Sequence, residues 1–246
     1  MKRILTLVVA LVLSAGLYAQ KDVTKFLGIP VDGTKQAIIQ KLKAKGFTYN
    51  QQKDVLKGEF NGEQVEISVQ TKGNKVWRLA VSDVKARDEG QIKIRFNNLV
   101  RQFEKNGKYI PLKDSQTISD EEDISYGISI KEKQYEASFS QFSKDYFQNI
   151  DTLALQNLLK EEYARELKQI EEYYNRFTEE QWENPTEAMS ESLKKIEEWR
   201  SEAIVEFTFG LLYKKVVWFT IGEDYGRYKI VMFYENGFNE ADGSDL

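Results

Sequence analysis

The pattern of hydrophobic and polar positions predicts two helices in the first half of the chain. Apolar residues at steps of three and four indicate a helix over residues 31–46. Asp32 or Thr34 would cap its start, and Gly46 would end it. The same spacing indicates a second helix over residues 88–106. Each helix has one apolar stripe, so each is expected to pack that stripe against another element.

Between these helices the pattern changes to the alternation that is typical of strands. It predicts three strands, over residues 55–60, 64–70 and 75–81. Asn61-Gly62, between the first two, is a dipeptide that favours a tight hairpin turn, and residues 72–74 form the next turn. Strands joined by such short turns pair antiparallel.

Strands are predicted again after the second helix. Alternation indicates four of them, over residues 124–130, 134–141, 215–221 and 227–234. A turn over residues 222–226 joins the last two. The pattern therefore predicts an α+β fold, in which helices pack on one or more antiparallel sheets.

Residues 151–209 differ from the rest of the chain because they are rich in glutamate, lack glycine and keep helical spacing throughout. Thr178 with Gln181 is expected to cap one short turn between two helices. Pro185 is predicted at the first position of the second helix, with Glu187 at its third. The segment is thus interpreted as a helical hairpin inserted between strands.

Two of the predicted strands resemble each other, since residues 64–70 and 134–140 share Gln, Glu and Ser at matching positions. The similarity suggests a duplicated helix-plus-sheet unit, with a first copy at residues 20–113 and a second at residues 114–246. In that interpretation the helical hairpin replaces the short turn at residues 71–74. A chance match between two β-rich segments explains the three identities equally well.

The aromatic residues of the last two strands allow two interpretations. Trp218 and Phe219 are neighbours, so their side chains point to opposite faces of a sheet and at least one is expected in the core. Surface aromatic residues on a sheet could stack on sugar rings or contact a protein partner. Core packing is the favoured interpretation, because large aromatic side chains are usually buried.

The first 19 residues have the three parts of a secretory signal peptide. Lys2 and Arg3 precede an apolar run at residues 4–13, and small residues lead up to Ala19, where cleavage is expected. The run is about half the length that crosses a bilayer as a helix, which favours a cleaved signal over a membrane anchor. The chain has no cysteine, so it cannot carry a lipid-modified one. The prediction is an exported protein, periplasmic or extracellular, with no membrane anchor after cleavage.

The composition excludes several classes of chemistry. Without histidine or cysteine the chain cannot build Ser-His-Asp or Cys-His nucleophiles, and it lacks the usual ligands for zinc, copper and haem. No cofactor or metal is therefore predicted. A carboxylate-pair glycosidase stays chemically feasible, and the acidic residues 114–123 could hold calcium, although an exposed turn is the favoured interpretation of that loop.

Charge is divided unevenly along the chain. Residues 20–113 carry 19 lysines and arginines against 10 aspartates and glutamates, whereas residues 114–246 carry 14 against 29. A basic face for an anionic ligand is one explanation, and solvated lysines or two complementary halves are the favoured one. Net acidity and export both argue against nucleic-acid binding.

Candidate contact residues come from the hairpin and from the first helix. They share exposure-prone aromatic rings or basic charge: Tyr163, Tyr173, Tyr174 and Trp182 on the hairpin, and Lys35, Lys41, Lys43 and Lys45 on the first helix.

Several segments resemble a family of uncharacterised exported proteins of the Bacteroides type. The resemblance covers nearly all of the chain after the signal and is carried by residues 26–34, 42–47, 93–99, 121–126, 184–187 and 243–246. It implies a bacterial envelope setting but no activity. The order of elements also resembles the helix-plus-sheet domains of the β-lactamase-inhibitor-protein type and of small outer-membrane assembly lipoproteins, which bind other proteins.

Together these observations predict a non-enzymatic binding protein of the periplasm or cell surface, with an envelope protein or a glycan as its partner. A carboxylate-dependent hydrolase of envelope or dietary polymers is the alternative, and two carboxylates about 5 to 10 Å apart in one cleft would mark it. A purely structural envelope component is a third hypothesis.

Overall fold

The computed structural model describes most of the chain that follows the predicted signal peptide. The described residues are 22–142, 163–178, 181 and 185–240. The predicted signal peptide, Trp182 and residues 151–162 of the predicted hairpin lie outside them.

Helices and strands are mixed along the chain. The helices are α1 (Lys35–Ala44), α2 (Glu89–Lys105), α3 (Ile124–Ser129), α4 (Ala164–Tyr174) and α5 (Glu187–Lys214). The strands are β1 (Lys25–Phe26), β2 (Ile29–Pro30), β3 (Thr48–Asn50), β4 (Val55–Phe60), β5 (Glu63–Lys72), β6 (Lys75–Asp83), β7 (Ile110–Pro111), β8 (Glu136–Ser140), β9 (Lys215–Asp224) and β10 (Arg227–Asn236). The predicted α+β class is confirmed.

Eight of these strands form one antiparallel sheet in the order β3-β4-β5-β6-β10-β9-β8-β7, and β1 and β2 form a separate hairpin. The pairing of β6 with β10 joins the two halves of the sheet. Both units proposed from the internal similarity therefore contribute strands to a single sheet.

The strand order gives a different correspondence between the halves from the one that the sequence match suggested. The matched strands β5 and β8 do not occupy equivalent places, because β5 is third from one edge and β8 is second from the other. The strand that occupies the place equivalent to β8, second from the opposite edge of the sheet, is β4. The α4–α5 segment lies between β8 and β9, so its counterpart is the β4–β5 turn at Asn61-Gly62 and not residues 71–74.

Local capping explains where most helices begin. The Thr34 hydroxyl accepts a hydrogen bond from the Ala37 amide at 3.3 Å, and Asp88 accepts one from the Gln91 amide at 2.8 Å. A side-chain acceptor at this position satisfies an amide that the helix itself leaves unbonded. Thr34 is thus the observed one of the two caps predicted for the first helix, which begins four residues after the predicted start, and α2 begins one residue after its predicted start.

The start of α5 differs from the prediction by two positions. Thr186, not the residue before Pro185, is the cap, and its hydroxyl accepts a hydrogen bond from the Met189 amide at 3.3 Å. Glu187 is therefore the first residue of the helix, and Pro185 precedes it. The physical reason is that a threonine hydroxyl can accept this bond, so it sets the cap.

The cap predicted at Thr178 and Gln181 is confirmed. The Gln181 amide donates to the Thr178 hydroxyl at 3.4 Å, and the Thr178 amide donates to Gln181 Oε1 at 2.9 Å. The pair satisfies two backbone donors reciprocally, which makes the cap a capping box.

The strand predicted over residues 124–130 is wrong, because this segment is the short helix α3. Asp123 caps it by accepting a hydrogen bond from the Tyr126 amide at 2.7 Å. Gly127 is buried against Tyr135, whose hydroxyl oxygen would lie 2.1 Å from a Cβ at that position. The alternation of Ile124 to Ile130 fits either structure, and the cap and this close contact decide for a helix.

The core lies between one face of the sheet and the helices α1 and α2. Helix α1 packs on β5 and α2 packs on β10. Buried rings meet between them: Phe96 and Phe219 lie 5.1 Å apart, and Phe103 and Phe139 lie 4.9 Å apart. This covered side of the sheet is called the inner face below, and the opposite side the outer face.

Candidate functional site

The outer face of the sheet carries a pair of stacked aromatic rings. Trp218 on β9 lies directly opposite Phe233 on β10, and their ring centroids are 4.2 Å apart with 22° between the planes. Their sequence neighbours Phe219 and Tyr234 point the other way, into the core, where they are 0% and 3% exposed. Strand alternation therefore divides these four aromatic residues equally between the two faces.

Small side chains flank this pair across the sheet. In the same row, Phe233 is opposite Ala80, which is opposite Ser68, and Trp218 is opposite Ser138. Such short side chains cannot cover a neighbouring ring. The rings thus stand above the rest of their row and are partly exposed.

A β-bulge adds a third ring to the outer face. Gln70 pairs with Arg78 and Thr71 pairs with Val76, so Trp77 is an extra residue in β6. The guanidinium carbon of Arg78 lies 4.0 Å from the Trp77 ring centroid and 5.2 Å from that of Phe233. Arg78 thus connects Trp77 to the stacked pair through cation–π contacts.

Glu235 fixes both the cation and the indole. Its Oε1 atom lies 2.5 Å from an Arg78 nitrogen and accepts a hydrogen bond from Trp218 Nε1 at 2.7 Å. Arg78 Nε is buried and has no hydrogen-bond partner among the described residues. We call the set Trp77, Arg78, Trp218, Phe233 and Glu235 the aromatic patch.

The sequence contained part of the signal for this patch. It showed that Trp218 and Phe219 must face opposite sides, and the same parity puts Phe233 beside Trp218 once the register of β9 and β10 is known. The contribution of Trp77 could not be inferred, because a bulge breaks the parity of its strand. Core packing, the interpretation favoured from the sequence, describes Phe219 and Tyr234 but not the pair on the outer face.

A cleft of about 930 Å³ lies on the inner side, between the β1–β2 hairpin and the C-terminal end of α2. Aromatic side chains of the core reach it, among them Phe103, Tyr109 and Tyr234. Its charged side chains are Asp22, Lys25, Glu59, Lys108 and Lys215.

One carboxylate in this cleft holds two lysines. Asp22 lies 2.6 Å from Lys215 Nζ through one oxygen and 3.0 Å from Lys25 Nζ through the other. Burial raises the pKa of Asp22, but the hydrogen bonds from Lys215 and Lys25 outweigh it and the pKa falls below its usual range. Burial lowers the pKa of Lys215, and its bond to Asp22 opposes that change.

These shifts bear on the hydrolase alternative, because the cleft contains two carboxylates, Asp22 and Glu59. An acid catalyst of glycoside hydrolysis needs a raised pKa, so that it still carries a proton near neutral pH. The pKa of Asp22 is lowered instead. Asp22 is therefore suited to holding lysines rather than to donating a proton.

The aromatic residues predicted as contacts on the hairpin pack largely on each other and on α5. The Tyr163 ring lies edge-on to Trp199 at 5.9 Å, and the Tyr173 ring lies edge-on to Phe177 at 5.3 Å. Tyr174 is 38% exposed. Trp182 lies outside the described residues, so its role as a contact stays a prediction.

The basic residues predicted on and beside α1 include one ion-paired lysine and three exposed ones. Lys35 pairs with Asp54, which also accepts a hydrogen bond from the Tyr49 hydroxyl at 2.7 Å. Lys41 and Lys43 are exposed, but residues two apart on a helix do not face the same way. Lys45, the C-cap residue that follows α1, is four positions after Lys41 and lies on the same side of the helix.

The acidic loop considered for calcium has other partners. Glu122 lies 2.6 Å from Lys133 Nζ and accepts a hydrogen bond from Tyr135, and Glu121 accepts one from Ser119 at 2.9 Å. Among the residues with described positions, no three acidic side chains come together to form a cation site.

No family model matches this chain, and neither curated proteins nor solved structures gave a significant match. Within the described part of the chain, none of the helices combines the length and the hydropathy needed to cross a membrane.

Proposed function

We propose that this protein is an exported, non-enzymatic binding protein of the periplasm or cell surface that contacts a protein partner through the aromatic patch. The observation that carries the proposal is the Trp218–Phe233 stack, partly exposed on the sheet face opposite α1 and α2. The signal-peptide pattern of residues 1–19 supports export.

The chemistry of the patch favours a protein partner. Tryptophan and arginine are the residues most enriched among those that dominate binding energy, and charge is depleted at the centre of an interface. Here the central charges are the mutually paired Arg78 and Glu235. Further ion pairs lie toward the outer strands, Lys57 with Glu66 and Lys113 with Glu136. An apolar centre surrounded by paired charges is the usual arrangement of such surfaces.

The patch is also held in place before any partner arrives. Glu235 holds both Trp218 and Arg78, so little side-chain freedom is left to lose on binding. The small residues Ala80 and Ser138 leave space beside the rings for side chains of the partner.

A pull-down with matched variants tests the proposal. Residues 20–246 serve as bait, cross-linked to an extract of the native envelope, and the recovered partner is then purified and titrated. Changing both Trp218 and Phe233 to Ala is expected to weaken binding at least about tenfold, as loss of central aromatic anchors does. Tyr225→Ala is the matched control, since this aromatic residue is 100% exposed at the β9–β10 turn, outside the patch.

A second variant distinguishes loss of binding from loss of folding in the double variant. Ser138→Lys adds bulk beside Trp218 without removing a packed ring, and it should also weaken binding. The proposal is overturned if both patch variants bind as the unchanged chain does. If Tyr174→Ala on the hairpin abolishes binding and the patch variants do not, the hairpin is the contact surface.

A further inference from the structure

We infer that the inner-side cleft between the β1–β2 hairpin and the end of α2 binds a small amphiphilic anion: an aromatic or aliphatic body that carries one acidic group. This site is separate from the aromatic patch and does not depend on the function proposed for it. Its volume of about 930 Å³ lies within the range of small-molecule sites.

The apolar part of such a ligand would meet an aromatic floor. Phe103 and Tyr109 contact each other edge-on at 4.6 Å, and Phe26 contacts Phe60 and Tyr234, each at 4.9 Å. Four of these five residues line the cleft, and Phe26 lies behind them in the core. Rings that are already packed offer a rigid apolar surface, which loses little freedom on binding.

Leu27 adds an apolar side chain at the rim. It sits with Gly28 at the tip of the β1–β2 hairpin, and both have positive φ angles, 51° and 80°. A two-residue turn of this kind favours asparagine or glycine, and a leucine there is strained. Leu27 is nevertheless 40% exposed and lines the cleft. A leucine here thus provides an apolar surface for a ligand at a cost to the stability of the turn.

The charges of the cleft favour an anion. Three lysines and two carboxylates line it, which leaves one positive charge in excess. Asp22 is shared between Lys25 and Lys215, so it neutralises one of the two. Lys108 forms no ion pair with any residue in the described ranges. An acidic group entering the cleft would therefore meet Lys108 and the two lysines that share Asp22, against one further carboxylate, that of Glu59.

Lys215 keeps this arrangement rigid. It is buried, with its Nζ atom 4.2 Å from the Phe142 ring centroid and hydrogen-bonded to Asp22 at 2.6 Å. Gln141 fixes the opposite side, because its side chain bonds both the amide and the carbonyl of Lys25, at 2.6 and 2.8 Å. The N-terminal strand is thus tied to the end of β8, and the walls of the cleft are held before a ligand arrives.

The probe that matches this chemistry is 8-anilinonaphthalene-1-sulfonate, an aromatic body with one sulfonate whose fluorescence rises in an apolar site. Titration of residues 20–246 with it should saturate at one site. Dodecanoate should displace it, and dodecyltrimethylammonium, with the same alkyl chain and the opposite charge, should not. Lys108→Gln should weaken binding about fivefold, the effect of losing one partly exposed ion pair.

Leu27→Gly provides a variant that keeps the fold. Glycine adopts the positive φ angle freely, so the turn should become more stable while probe binding weakens. Lys131→Gln, which removes one exposed charge just after α3 and outside the cleft, is the matched control and should bind as the unchanged chain does.

The inference is overturned if no saturable binding is seen, if the cationic amphiphile competes as well as dodecanoate, or if Lys108→Gln and Leu27→Gly both bind normally. Loss of the signal only when Trp218 and Phe233 are replaced would overturn it as well, because the probe would then occupy the aromatic patch. That result would leave the function proposed for the patch intact.

Discussion

The two faces of the central sheet carry the same kinds of residue on the same strands, but one face forms the core and the other is partly exposed. On the inner face, Phe219 packs on Phe96 and Phe103 of α2, and Tyr234 packs on Phe26 of β1. On the outer face, Trp218 and Phe233 come from the same two strands, one position away, and stay partly exposed. Aromatic content alone therefore does not distinguish a core from a contact surface. The distinction depends on whether other elements of the fold cover that face of the sheet.

The two faces also differ in how their rings are held. Inner rings are fixed by packing on other rings, as Phe219 is on Phe96 and Phe103. Outer rings are fixed by one another and by polar contacts, with Glu235 bonded to Trp218 and to Arg78. A surface held in this way can stay ordered while it remains open to a partner.

The largest expected difference between the two faces is in how much their rings contribute to the free energy of unfolding. Phe219→Ala should lower the free energy of unfolding by about 3–5 kcal/mol, because it leaves a cavity among buried rings. Trp218→Ala, one residue away, should cost about 1–2 kcal/mol, since its ring is only partly buried. Urea unfolding followed by circular dichroism measures both. Equal costs at the two positions would show that the outer face is as enclosed as the inner one.

A smaller effect tests whether polar contacts hold the outer rings. Glu235→Gln removes the charge that pairs with Arg78, and a double-mutant cycle with Arg78→Gln should give a coupling energy of about 1 kcal/mol. Indole fluorescence of Trp218 should change in Glu235→Gln as well, because its hydrogen bond is altered. A coupling near zero would mean that ring stacking alone orders the patch.

The smallest effect concerns the polar edge of the inner side, at Asp22. Its pKa is lowered in the folded state, so its stabilising contribution is present above the unfolded value, near pH 3.8, and is lost as pH falls through the folded value. Asp22→Asn should therefore lower the urea midpoint slightly at pH 6 and by less at pH 2.5. Asp120→Asn, an exposed change in the acidic loop, should lower it at neither pH. A deficit of the same size at both pH values would rule out the ion pairs as its source.

Much of the local structure could be predicted because its causes are local. The capping residues Thr34 and Asp88 lie within a few residues of the amides they satisfy. Asn61 and Gly62 take the positive φ angles that a tight turn requires, 52° and 75°. The strand predicted over residues 124–130 is wrong although a local cause was present, since Asp123 accepts a hydrogen bond from the Tyr126 amide and starts a helix there.

The candidate sites were less predictable because they depend on distant residues. The aromatic patch needs β6 beside β10, and Arg78 lies opposite Glu235 only in that pairing. The cleft needs the N-terminal hairpin against the start of β9, where Asp22 meets Lys215. The hairpin and lysine contacts expected from the sequence stay predictions, and the structure adds two surfaces that were not among them.

By itself the sequence determined the periodicity of the elements, their caps and turns, and the chemistry that the absence of histidine and cysteine excludes. Tertiary structure decided which face of each strand is covered, how the β6 bulge turns Trp77 outward, and which charges meet. The physical reason is range. Backbone hydrogen bonds and caps act over a few residues, whereas burial and ion pairing depend on elements that only the folded chain brings together.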